Sequence, residues 1–417
     1  MKKRYGATVL ALALLLTAGS GCQAEPAEEG NQVLEVVTDS WYKQEVEWAG
    51  DFFERENAGW QVTVQVLPRE QQERDAAVQK MKTEAMAGEG PDVYILGTAH
   101  ADAVEDEYEE PVFSSVPNTM ESGVFAVLDD YMEKDVYWKS APCHPEILKA
   151  GQLGGKQYVL PLGCRYCFYY HPEGEGAMNG KTLEEWMAQA ASSEREPARR
   201  AVQDAMFQFM RSSLIQPAVD YENQKSLFDA ELWADTVNAW FPDYLATRFE
   251  EREEGAPYGM LNWAGDFVNL PSDVAFQAVP DMLGRRTAAI TVYGAVGQSS
   301  DIPEEAYDYL MLFLDERRGN AQTDTSDGYV SGEFPVQEWS WKELLKQTGR
   351  EDLTEPFLES FRELDSAYFP GEPERELEEN FFHIINYSDT TPEDERIRQV
   401  EDLAEQYART CEILAKE

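Results

Sequence analysis

Cysteine is the most reactive side chain in this sequence, and two cysteines stand close enough together to act as a pair. Cys164 and Cys167 form the motif CRYC, whose spacing is that of a redox pair or of half a zinc site. No second CxxC accompanies the motif, and the four histidines are scattered along the chain. In an extended strand, residues three apart point to opposite faces, which would keep the two sulfurs apart. The pattern therefore favours a structural role over a redox or metal centre, and we expect no cofactor and no bound metal.

Sequence motifs that position a nucleophile, a catalytic metal or a phosphate are absent. The chain has no GxSxG, HExxH, Walker-type glycine loop or DxDxDG calcium loop. With 79 Asp and Glu residues, an acidic run such as EDEYEE most often forms a solvated face. A glycosidase needs two carboxyl groups about 5 to 10 Å apart across a cleft, an arrangement that a sequence does not exclude. Binding without chemistry is the simpler hypothesis, and no catalytic residue is predicted.

Charge and composition narrow the classes of ligand. The formal charge is −44 over 417 residues, so the surface repels nucleic acid and other polyanions. A neutral or cationic small molecule is the better expectation. With 43% apolar and 12% aromatic residues, the chain can bury real cores, and its length indicates two or three domains or lobes.

The amino terminus has the pattern of an export signal. Residues 1–21 combine a basic start, an apolar run that is too short to span a membrane, and small residues before Cys22. This arrangement resembles the lipobox of bacterial lipoproteins, although Gly19 stands where that motif usually has leucine. We expect residues 22–32 to be a lipidated cysteine and a polar tether. Two acyl chains would hold the protein stably on the extracytoplasmic face of the cell membrane.

Strands and helices alternate after the tether. Apolar periodicity predicts strands at 33–38, 60–67 and 93–96, separated by helices at 45–55 and 70–87. A strand, helix, strand, helix, strand order implies right-handed crossovers and a mainly parallel sheet that is covered on both faces. The fold class is therefore predicted to be α/β.

Ligands of open α/β sheets bind beyond the carboxyl ends of the strands. Trp41 and Tyr42 follow the first strand, and Thr98 and His100 follow the third. Small-molecule sites combine flat aromatic surfaces with a few fixed hydrogen-bonding groups. These four residues are therefore candidate ligand contacts, although an aromatic residue is more often part of a core.

The chain resembles the family 1 extracellular solute-binding proteins of ABC transporters, the family that includes maltose-binding protein. The resemblance covers most of the chain, and His171 replaces the asparagine that usually follows the paired tyrosines. Five segments carry it in the family's order: FFERENAGWQVTVQVLP, AGEGPDVYIL, GVFAVLDDYM, GGKQYVLPLGCRYCFYYHP and AITVYGAVGQSSDIPEEAYDYLMLFLDE.

The resemblance implies a two-lobe clamshell of the periplasmic-binding-protein type, between whose lobes the chain crosses three times. We expect the N-terminal lobe to comprise 33–162 plus 294–329, and the C-terminal lobe 163–293 plus 330–417. The three crossing segments are expected near 161–168, 290–297 and 328–335.

The same resemblance adds candidate ligand contacts near these crossings. Tyr166 lies on the first crossing, and Trp263 and Tyr293 flank the second. Trp339 and Trp341 follow the third.

The implied function is that of a lipid-anchored substrate-binding subunit, expected to act as a monomer. It would capture a carbohydrate, a mono- or oligosaccharide, by hinge closure and deliver it to the transmembrane subunits of an ABC importer. Two alternatives remain open at this point. One is a receptor that reports its ligand to a membrane sensor kinase, and the other is an extracytoplasmic carbohydrate-active enzyme.

Overall fold

The structure is a computed structural model. It describes residues 32–98, 110–192, 199, 217–221, 223–247, 258–261, 264–314, 333–388 and 390–416. The predicted signal peptide, Cys22 and nearly all of the tether lie outside the described residues. Across the described ranges, no helix combines the length and apolar character needed to cross a membrane.

The amino-terminal alternation of strands and helices is confirmed. Its elements are β1 (Gln32–Thr38), α1 (Lys43–Glu56), β2 (Trp60–Val66), α2 (Gln71–Ala87) and β3 (Val93–Gly97). β1 pairs in parallel with both β2 and β3, so the carboxyl ends of these strands meet at one edge of the sheet.

The turn between α2 and β3 holds this part of the sheet in register. Gly88 ends α2 with a left-handed φ of 78°, which glycine adopts without steric cost. Four residues further on, the Asp92 carboxylate accepts hydrogen bonds from the Glu35 amide at 2.9 Å and the Ser300 hydroxyl at 2.6 Å. Asp92 therefore ties the turn to β1 and to the segment after the last long strand.

The remaining elements follow in chain order. The strands are β4 (Gln152–Leu153), β5 (Lys156–Gln157), β6 (Val159–Arg165), β7 (Phe168–Pro172), β8 (Val219–Asp220), β9 (Lys225–Ser226), β10 (Gly259–Leu261), β11 (Val274–Ala278), β12 (Thr287–Val296) and β13 (Ser366–Tyr368). The helices are α3 (Val116–Glu121), α4 (Asp129–Lys134), α5 (Val136–Ser140), α6 (Pro145–Ala150), α7 (Leu183–Ala191), α8 (Ala230–Thr247), α9 (Pro303–Met311), α10 (Glu338–Gln347), α11 (Thr354–Phe361), α12 (Glu372–Tyr387) and α13 (Glu393–Leu414).

The long strand β12 organises the main sheet. Hydrogen bonds connect the strands in the order β13-β12-β3-β1-β2. β6 pairs with β12 along the edge opposite to β3 and β13. β12 is antiparallel to β3 and β6 and parallel to β13, so only part of the sheet is parallel.

Two apolar cores are present among the described residues. The first surrounds the main sheet, and the second is built from α7, α8, α12 and α13. The first core continues through Phe168 and Phe334 into Phe357 of α11. The exact boundaries predicted for the lobes therefore stay a prediction.

The described parts of the three predicted crossing segments lie side by side. Cys164 of β6 pairs with Ile290 of β12, and it also exchanges two backbone hydrogen bonds with Phe334, at 3.0 and 3.1 Å. Residues far apart in the chain therefore form one small hydrogen-bonded unit.

Candidate functional site

Asp39 lies at the carboxyl end of β1 and is almost completely buried. Its Oδ1 accepts a hydrogen bond from Arg74 Nη2 at 2.6 Å, and its Oδ2 accepts one from the Gly97 amide at 2.7 Å. Burial raises the pKa of Asp39, and the Arg74 charge and the Gly97 amide oppose that rise. The carboxylate thus joins the ends of β1 and β3 to α2.

Arg74 is the other half of this ion pair, and only 1% of its side chain is exposed. Besides Asp39, its guanidinium donates to the Glu110 carbonyl through Nε at 2.8 Å and through Nη2 at 2.6 Å. Both charges are therefore hydrogen-bonded within the protein.

The turn after β1 carries two of the predicted ligand contacts. Trp41 is 38% exposed, and the Arg69 guanidinium carbon lies 4.5 Å from the centroid of its ring. Tyr42 is buried, with its hydroxyl beside Gly97, where an added Cβ would stand 3.1 Å from that oxygen. In this turn Trp41 is therefore partly exposed to solvent, whereas Tyr42 is buried against the end of β3.

Thr98 and Tyr293 also lie at this edge of the sheet. The Thr98 hydroxyl donates to the Ile290 carbonyl at 2.8 Å, so it is used within the protein. Tyr293 is fully buried and packs on Phe125. Burial raises the pKa of Tyr293, and the Asp39 charge raises it further.

A second ion pair lies on the crossing segments. Arg165 donates from Nε and Nη2 to the two oxygens of Glu333, each at 2.8 Å. The Thr291 hydroxyl donates to the same carboxylate at 2.8 Å. Burial disfavours the charge on Arg165, but Glu333, Tyr42 and Glu378 outweigh it and raise the pKa of Arg165. These hydrogen bonds join β6 and β12 to Glu333.

Three other predicted contacts lie beside or within the first core. The Tyr166 ring is buried against Phe168, with 4.0 Å between ring centroids. Trp341 has no exposed surface and packs on Phe357 at 4.3 Å. Trp339 is half-buried on α10. In this structure, therefore, the Tyr166 and Trp341 side chains are buried in the first core.

His100 and Trp263 lie outside the described residues. Asp39, Arg74, Arg165, Glu333 and Thr291 were not predicted from the sequence, although Asp39 directly follows a predicted strand, and Arg165, Thr291 and Glu333 each fall on a predicted crossing segment.

A cavity of about 510 Å³ opens elsewhere on the protein. It is lined by Phe52 and Asn57 at the end of α1, by Tyr131 and by Tyr307. The end of α1 leads into the start of β2, so this cavity faces the amino ends of the parallel strands. It is therefore separate from the candidate site.

No group of His, Cys, Asp and Glu side chains within the described ranges is arranged to hold a metal ion. The four cysteines among the described residues, Cys143, Cys164, Cys167 and Cys411, are buried and form no disulfide with one another. Burial raises the pKa of the Cys164 thiol well above its ordinary value, which keeps it protonated and unreactive.

The chain is similar in structure to several solved solute-binding proteins. A family 1 extracellular solute-binding protein from Alicyclobacillus acidocaldarius superposes with a TM-score of 0.58 at 12% identity, over 93% of this chain and 100% of that one. The sugar-binding protein MalE from Xanthomonas citri gives 0.52 at 13% identity, over 93% and 100%. A cyclic α-maltosyl-1,6-maltose binding protein from Arthrobacter globiformis gives 0.51 at 15% identity, over 91% and 100%.

No protein-family model matches the chain, and no curated protein matches it in sequence. The structural likenesses therefore establish the fold and not the ligand. The chain has the two-lobe α/β fold of the family 1 extracellular solute-binding proteins, as its sequence motifs predicted.

Proposed function

We propose that this protein is an extracytoplasmic substrate-binding subunit that captures an uncharged carbohydrate between its two lobes by hinge closure. The observation that carries the proposal is the pairing of charges at the candidate site. Asp39 is neutralised by Arg74, and Glu333 by Arg165. A site whose buried charges are already paired offers no unbalanced charge to a ligand, which favours a neutral molecule.

Trp41 is the proposed aromatic platform. It stands at the carboxyl edge of the sheet and keeps more than a third of its surface exposed, as an apolar sugar face requires. Tyr42, Thr98 and Tyr293, which are buried at the same edge of the sheet, then form the inner wall of the proposed site. His100 and Trp263 stay proposed contacts on sequence grounds.

Two of the structural neighbours support a carbohydrate ligand. They are the sugar-binding protein from Xanthomonas citri and the cyclic α-maltosyl-1,6-maltose binding protein from Arthrobacter globiformis. The proposal extends to lipid attachment at Cys22 and delivery to the transmembrane subunits of an ABC importer, which rest on the amino-terminal motif and the resemblance alone.

Thermal stabilisation by ligand tests the proposal. A neutral mono- or oligosaccharide is expected to raise the melting temperature, because a ligand that binds only the folded state adds about 2.7 kcal/mol of stability at a hundred times its Kd. A panel of sugars is measured beside polyamines and peptides, and any ligand found is recovered for mass analysis. Stabilisation by a polyamine or peptide alone would refute the carbohydrate assignment, and a chemically altered sugar would indicate an enzyme.

Replacing Trp41 by alanine is expected to weaken binding of that sugar by about tenfold, because a lost aromatic contact is worth about 1 to 2 kcal/mol. Calorimetric titration measures the affinity, and thermal melting checks that the fold is retained. Tyr387→Ala is the matched control, since Tyr387 is 65% exposed at the end of α12 and should not affect binding. Equal affinity in the two variants would remove Trp41 from the site.

A further inference from the structure

The pairing of β12 with β6 is irregular at Thr291 and again one residue further on, where β6 skips Leu162. Gly163 pairs with Val292 and Cys164 with Ile290, so Thr291 has no partner residue in β6. An irregularity of this kind bends a strand locally and re-aims its side chains.

β12 changes partners at the same point. On one side of Thr291, residues 287–289 pair with β13, and on the other side residues 292–296 pair with β3. Thr291 therefore separates the part of β12 that pairs with the amino-terminal strand β3 from the part that pairs with β13.

Thr291 is held from two directions. Its carbonyl oxygen accepts a hydrogen bond from the Thr98 amide at 3.0 Å, at the end of β3. Its hydroxyl donates to Glu333 at 2.8 Å. Since Glu333 also receives two hydrogen bonds from Arg165 of β6, one carboxylate joins all three crossing segments. We call Arg165, Thr291 and Glu333 the clasp.

The backbone of β6 at Gly163 leaves room for the Glu333 side chain of the clasp. An added Cβ on Gly163 would lie 2.8 Å from Glu333 Cβ, closer than real side chains approach. A glycine at this position of β6 is therefore required for Glu333 to reach its partners.

Burial lowers the pKa of Arg165 and Glu333 raises it, and the charges of Tyr42 and Glu378, which come from elements of the two cores, raise it further. The Tyr42 hydroxyl comes from the turn after β1, and Tyr42 belongs to the first core. Glu378 comes from α12, whose neighbouring residues Leu377 and Phe381 belong to the second core. Moving the two cores relative to each other would change both of these interactions with the guanidinium.

We propose that the clasp is the pivot of lobe movement and stabilises the conformation seen here, so that side chains which pair with each other, and not with the ligand, help to set the affinity. The part concerning affinity rests on the proposed function, because ligand binding is scaled by the fraction of molecules in the competent conformation. The part concerning the pivot holds for the protein without ligand.

The test measures the distribution of lobe separations without ligand. Spin labels are placed at Glu47→Cys on α1 and Glu405→Cys on α13, positions whose side chains are 53% and 65% exposed. Thr291→Val removes the hydroxyl that reaches Glu333 and keeps the side-chain shape. We expect about a tenfold fall in the ratio of the described conformation to the others, since hydrogen bonds to charged groups are worth roughly 1.5 to 3 kcal/mol.

Thr236→Val is the matched control. Thr236 is buried in α8, and its hydroxyl donates to the Leu232 carbonyl at 2.7 Å, so the same atoms are lost far from the crossing segments. Glu333→Gln should shift the distribution in the same direction as Thr291→Val, and if it fails to fold, Thr291→Val decides alone. A distribution for Thr291→Val that coincides with that of Thr236→Val would overturn the proposal.

The ligand test and the clasp test can fail separately. A shifted distribution in a protein that binds no sugar would refute the proposed function and leave the pivot in place. If the protein binds a sugar but the clasp variants leave the distribution unaltered, the proposed function would stand and the pivot would be refuted.

Discussion

Replacing Arg74 by methionine is expected to lower the free energy of unfolding by about 3 to 5 kcal/mol, because it leaves a buried carboxylate without its counter-ion. Asp39 would keep the Gly97 amide as a hydrogen-bond donor but lose the guanidinium at 2.6 Å. The two Glu110 carbonyl contacts of Arg74 would be lost as well. Chemical denaturation monitored by circular dichroism measures the change.

Two further variants identify the cause of this loss. Arg409→Met removes a partner of Glu405 from an ion pair whose side chains are 72% and 65% exposed, and should cost at most about 1 kcal/mol. The double variant Asp39→Leu with Arg74→Met should recover much of the loss, because no unpaired charge remains buried. A cost for Arg74→Met no larger than that for Arg409→Met would show that this pair is not desolvated.

Replacing Trp341 by alanine is expected to lower the free energy of unfolding by about 3 to 5 kcal/mol, the usual cost of truncating a large buried aromatic side chain. Trp341 has no exposed surface, and its ring contacts Phe357, Phe334 and Phe267 at centroid distances of 4.3, 5.1 and 5.8 Å. Denaturant titration at constant pH gives the value.

The variant Trp341→Phe tests whether the Trp341 side chain contributes to stability through packing or through its indole N–H. The indole N–H has no hydrogen-bond partner among the described residues, so phenylalanine loses volume but no bond and should cost less than alanine. A ligand platform would behave in the opposite way. If Trp341→Ala kept wild-type stability and abolished sugar binding, Trp341 would belong to the site.

The contrast between Trp41 and Trp341 shows where sequence interpretation stops. Both are tryptophans that follow predicted structural landmarks, and both were candidate platforms. Trp41 sits in a short turn at the sheet edge, whereas Trp341 sits on the inward face of α10. Position in the chain does not specify which way a helix turns its aromatic residues, because that depends on the partner against which the helix packs.

The sequence by itself determined the alternation of elements from β1 to β3. Apolar spacing distinguishes strand from helix over short distances, and Gly88 followed by Pro91 marks an end that few other residues permit. The two-lobe fold was implied only by the resemblance of five segments to a known family. The alternation itself depends on local preferences, which a chain carries before it folds.

Only the tertiary structure decided the charge pairs and the clasp. Asp39 and Arg74 are 35 residues apart, and Arg165 and Glu333 are 168 residues apart. In a chain with 79 acidic residues, nothing local marks which carboxylate meets which guanidinium. Pairing of this kind is selected by burial, since a charge removed from water must find its partner wherever the fold places it.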